Sequence, residues 1–98
     1  MPIDAQDGFP TAVSPNEHVI FTEFDGAEAV LVDLDSKQYY LLNETASVIW
    51  RGLANGTPPA GIARQITELY DVTLAHAEAS VLAAIGQFIE FRVVKRSG

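Results

Sequence analysis

The chain has 98 residues, a net charge of −7, 48% hydrophobic and 19% charged residues, and no cysteine. That length suits one domain with a core of its own, and the apolar content excludes disorder. Without cysteine there is no disulfide framework and no thiolate metal site, and an acidic body disfavours nucleic acid, whose affinity comes from phosphate neutralisation.

Residues 1–16 carry Pro2, Pro10 and Pro15 among small and acidic residues, which predicts an extended or mobile arm. Asp4 and Asp7 stand where a secretion signal would need cations, and the longest apolar run, Val81 to Ile85, is too short to span a bilayer. A cytoplasmic protein that avoids membranes is therefore expected. Val19 to Phe24 reads as a first strand, and Asp25-Gly26 closes a turn into a second from Ala27 to Leu34. Val30, Val32 and Leu34 alternate with Leu31, Asp33 and Asp35, the period of a strand with one packed face. Asp35-Ser36-Lys37 turns the chain into a third strand, Gln38 to Leu42.

Asn43 is placed to cap a helix in which Ala46, Ile49, Trp50 and Leu53 recur at helical spacing. Asn55-Gly56 stops it, and Thr57-Pro58 starts a second helix whose apolar face is Ile62, Ile66, Leu69 and Tyr70. After a break at Asp71-Val72, Thr73 caps a third helix carrying Val81, Leu82, Ile85, Phe88 and Ile89. Three antiparallel strands followed by three helices make an α+β, winged-helix-like fold. A basic tail closes the chain at residues 93–98; Arg92, Lys95 and Arg96 crowd this end, whereas no cation precedes Lys37.

Catalytic chemistry is sparse. His18 and His76 are the only histidines, neither in a ligand pair, and both read as surface residues. Asp33 and Asp35 could imitate a carboxylate pair, but at a turn they read as solvated. With no phosphate loop, no metal set and no cofactor motif, the chain reads as neither an enzyme nor a cofactor binder. The last two helices suggest a helix-turn-helix, so a winged-helix DNA-binding regulator is the alternative. Between Thr73 and Phe91, however, Gln87 is the single residue of the types that read bases. What remains is the free edge of the third strand, able to accept a further strand from a peptide or from a second copy.

The run Leu31 to Trp50 resembles the signature of the PqqD-like family, domains that recognise precursor peptides of ribosomally made, modified natural products. It holds a strand ending in an acidic turn, then Tyr39-Tyr40-Leu41-Leu42-Asn43-Glu44-Thr45-Ala46, then Trp50 on the first helix. The resemblance covers residues 17 to 91 and places the recognition domain at 17–92. Asp35-Ser36-Lys37 and Ala54-Asn55-Gly56 replace the segments usual in pyrroloquinoline quinone synthesis, so the stand-alone domains serving lasso-type peptides look closer. The resemblance implies a non-catalytic domain that captures a leader segment by strand addition and presents it to a separate enzyme: a radical maturase, a peptidase or a cyclase. Carried onto this chain, the peptide would pair with Gln38, Tyr39, Tyr40, Leu41 and Leu42, against a helix wall of Ala79, Leu82, Ala83 and Gly86. Tyr39 or Tyr40, with Leu41 and Leu82, would line its side-chain pockets, while Leu42, Trp50 and Ile85 would be core. The domain would act as a monomer or a homodimer.

Overall fold

A computed structural model describes residues 13–24 and 28–96. The chain runs β1 (Val13–Pro15), β2 (Val19–Glu23), β3 (Ala29–Asp33), β4 (Gln38–Leu42), α1 (Glu44–Ala54), α2 (Pro59–Leu69), α3 (Leu74–Phe91) and β5 (Val94–Arg96). The architecture is α+β as expected, with a three-stranded antiparallel sheet ordered β2-β3-β4 and a separate β1-β5 pair.

That pair changes the reading of both chain ends. Val13–Pro15, assigned by sequence to the arm, pair with Val94–Arg96, assigned to the tail. Asn16 reinforces the tie: its N–H donates to the Val93 carbonyl at 3.0 Å and its Nδ2 to the Arg92 carbonyl at 2.9 Å. The buried side chains of Val13, Val93 and Val94 explain why these short strands hold. The remainder of the proposed arm (1–12), the Asp25-Gly26 turn and residues 97–98 lie outside the described residues.

The helices begin where side-chain oxygens can satisfy orphan N–H groups. Asn43 accepts from the Ala46 N–H at 2.9 Å, and Thr73 accepts from His76 at 3.1 Å. In α2 the first helical residue is Pro59 rather than Pro58, which occupies the cap position. Arg92, at φ 63°, ends α3 in the left-handed conformation and turns the chain towards β5.

The core gathers Leu31 and Leu42 of the sheet, Ile49, Trp50 and Leu53 of α1, Ile62 and Ile66 of α2, and Val81, Ile85 and Phe88 of α3. Trp50 meets Phe88 edge-on, ring centroids 5.3 Å apart. Two residues depart from the expected faces. Leu69 is 61% exposed, and the α2 face is completed by Ala63 instead. Ile89 is likewise exposed, because the stripe buried by α3 runs through Val81, Ala84, Ile85 and Phe88. Arg51 of α1 pairs with Glu23 of β2, tying the first helix to the sheet.

Candidate functional site

β4 is where the sheet stops. It pairs with β3 in continuous register from Asp33↔Gln38 to Ala29↔Leu42, and no other described strand pairs with it. In such a ladder every second residue of the outer strand directs its N–H and C=O away from its neighbour. The chain ends do not cover this edge among the described residues, since β1 and β5 pair with each other.

Alternation along β4 decides what its side chains can reach. Leu42 is buried (4% exposed), and Tyr40 stacks on Phe91 of α3 with centroids 4.2 Å apart and planes 14° from parallel. Tyr39 and Leu41 are 75% and 71% exposed on the opposite face of the sheet. Tyr40 alone of the three expected pocket residues in β4 therefore faces the helices. Tyr39 and Leu41 offer their backbone to the edge and their side chains to the far face.

On α3, Ala79, Leu82, Ala83 and Gly86 fall on one stripe by helical spacing; Leu82 is half-buried and the other three are exposed. A Cβ added at Gly86 would meet no atom within 4 Å. A mid-helix glycine costs roughly 0.5–1 kcal/mol relative to alanine, and no neighbouring atom in this fold requires that absence of side chain. The stripe leads to a cavity of about 230 Å³ between the start of α1 and α3, lined by Asn43, Thr45, Ala46, Ile49, Ser80, Ala83, Ala84 and Gln87. Of these, sequence reasoning had named only Ala83 for the site. Ser80, Ala83, Ala84 and Gln87 nevertheless share helical spacing, and Ala46 and Ile49 follow the Asn43 cap by three and six residues. Both periodicities are visible in the sequence, but only the packing of α1 against α3 brings them face to face. The cavity floor is apolar (Ile49, Ala84) and its rim holds neutral hydrogen-bonding groups (Asn43, Thr45, Ser80, Gln87), with no formal charge.

At the other end of β4, the turn is built by a carboxylate that sequence placed in solvent. Asp33 is 4% exposed, and its Oδ1 accepts from the backbone N–H groups of Asp35 (3.0 Å) and Ser36 (3.2 Å). His18 sits across it, Nε2 at 3.5 Å from Asp33 and Nδ1 at 3.6 Å from Asp35. Burial pushes the Asp33 pKa up, but the Ser36 and Asp35 donors with nearby His18 outweigh it and hold the carboxyl below its ordinary 3.8. The two aspartates are thus not an acid–base pair: one organises the turn and the other is exposed. Lys37, at φ 62°, completes the turn and delivers the chain into β4. The described residues contain no group of three His, Asp or Glu side chains able to hold a metal ion. None of their helices is long and apolar enough to cross a membrane.

A small α+β domain results, with an antiparallel sheet whose last strand, β4, is unpaired on its outer side among the described residues, and helices of which α3 carries a stripe of small residues. Residues 28–94 match the family described as coenzyme PQQ synthesis protein D (PqqD), so the chain belongs to the PqqD family. Two solved structures share the fold. TbiB1 in complex with the TbiA(beta) leader peptide superposes with a TM-score of 0.79 at 22% identity, covering 87% of this chain and 98% of that one. Lasso peptide synthetase B1 complexed with the leader peptide gives 0.79 at 27% identity, covering 87% and 99%. No curated protein sequence matches the chain.

Proposed function

We propose that this chain is a non-catalytic recognition domain that binds the leader segment of a ribosomally made precursor peptide. The leader adds as a strand to the free edge of β4, alongside α3, and the domain presents it to a separate modifying enzyme. The observation that carries this reading is the unpaired outer side of Gln38–Leu42, with Tyr40 stacked on Phe91 of α3. Membership of the PqqD family supports it, as does the shared fold with a lasso peptide synthetase B1 complexed with leader peptide.

Magnitudes state what the groove must supply. About five main-chain hydrogen bonds give roughly 5 kcal/mol net. Ordering about six peptide residues costs ~1–2 kcal/mol each, so strand addition alone does not bind. Micromolar affinity needs about 8 kcal/mol, which requires two or three apolar peptide side chains buried at roughly 1.5–3 kcal/mol each. Tyr40, Leu82 and the cavity beside Ala83 are the surfaces on the helix-facing side able to take them. Presentation then accelerates another protein's reaction by proximity, holding a flexible substrate near its active site. The partner enzyme is a radical maturase, a peptidase or a cyclase.

The test is an amide-shift titration with the synthetic leader peptide of the precursor encoded beside this chain. Shifts concentrated in Gln38–Leu42 and along Ala79–Gly86 are the expected result. Binding that leaves both segments unshifted would refute the docking mode.

A further inference from the structure

The sheet has a second surface that peptide capture leaves unused. Register places two cross-strand rows on the face away from the helices: Ile20–Val32–Tyr39 and Thr22–Val30–Leu41. Five of these six side chains are apolar and none is charged. Ile20, Tyr39 and Leu41 are exposed, and Val30 and Val32 half-exposed, so no described element covers them. A two-layer fold normally leaves such an outer face polar; an uncharged apolar face rimmed by polar residues marks a contact surface.

The rim indicates the occupant. Exposed Glu17 and Asp35 stand at one end of the strands and exposed Glu28 at the other, with Lys37 the one cation in these flanking positions among the described residues. A second copy is a poor match. Three five-residue strands present only about 250 Å² of flat sheet, against the ~800 Å² each partner contributes to a stable complex. Two chains of charge −7 also repel. A larger protein can meet the apolar rows with its own apolar centre and the carboxylates with lysines and arginines, and can reach past the sheet onto the flanking loops for the remaining area.

We infer that the outer sheet face is the docking surface for the modifying enzyme, through an apolar patch rimmed by basic residues. This rests on the reading of the chain as a presenting domain. It places the enzyme against the rows that end at Tyr39 and Leu41, next to the strand edge proposed for the peptide, while leaving the α3 groove free. Both partners then bind at once, and enzyme binding does not require peptide.

The test uses the full chain and the purified modifying enzyme encoded with the same precursor, without peptide. Ile20→Ser combined with Val32→Thr is expected to weaken enzyme binding roughly tenfold or more. The same variant should keep its leader-peptide affinity within about twofold, which also reports an intact fold. Glu17→Gln with Glu28→Gln is expected to slow association and flatten its salt dependence. Enzyme affinity unchanged in Ile20→Ser/Val32→Thr, or no enzyme binding by the natural chain, would overturn the inference. So would a dimer in light scattering that Ile20→Ser dissolves, or binding to neutral phosphatidylcholine vesicles lost in the same variant. Failure of the peptide to bind, with the enzyme still captured through this face, would count against the leader-binding reading alone.

Discussion

Two glycines in two helices mark the contrast between the closed and the open parts of this fold. Gly52 of α1 lies against α2, where an added Cβ would sit 2.7 Å from Ile62 Cγ1. Gly86 of α3 has empty space around the same position. One glycine is required by packing, since it lets two helices approach. The other weakens its helix with no packing reason. The α1–α2 seam is filled at Gly52, whereas the surface of α3 at Gly86 is left open.

That contrast can be broken from either side. The largest expected effect is at the closed seam: Gly52→Val should destabilise the fold by about 2–3 kcal/mol through overpacking against Ile62, read as a lower urea midpoint. At the open surface, Gly86→Leu should leave the midpoint unchanged or higher while weakening leader-peptide binding by roughly tenfold or more, measured by calorimetry. Gly86→Ala sharpens the point, with an expected gain of about 0.5–1 kcal/mol in stability and little loss of affinity. A smaller effect belongs to the turn that launches β4. Because the folded Asp33 carboxyl titrates below its ordinary 3.8, its charge stabilises the fold above that value, and the contribution is lost as pH falls through the folded pKa. The stability difference between the natural chain and Asp33→Asn should therefore hold steady at neutral pH and shrink as pH falls below the ordinary 3.8.

Much of this was legible in the residues, and the parts that were not share a cause. The bounds of β4, the caps at Asn43 and Thr73, and the three-strand, three-helix order follow from local signals that the structure reproduces. The β1–β5 pair was hidden because three-residue strands carry no period and their partners lie about eighty residues apart in the chain. The facing of Tyr39 and Leu41 was ambiguous because Gln-Tyr-Tyr-Leu-Leu has no alternating polar set to mark the wet side. Only their cross-strand register with Val32 and Val30 resolves it. Asp33 read as a solvated turn residue because burial of a carboxylate beneath its own turn is a tertiary fact, with His18, just ahead of β2, lying across it. For the groove, the helical stripe of small residues was visible, but the opposing wall on α1 required knowing how the two helices lie.

The account stands on β4 being an unfilled edge that a peptide completes. Amide hydrogen exchange of Gln38–Leu42, with and without saturating leader peptide, tests this most directly. The outward-facing amides of the strand should exchange freely in the unbound chain and slow at least tenfold when peptide is bound, with α1 and α2 unchanged. Outward amides already protected in the free protein, or equally fast in the complex, would contradict it.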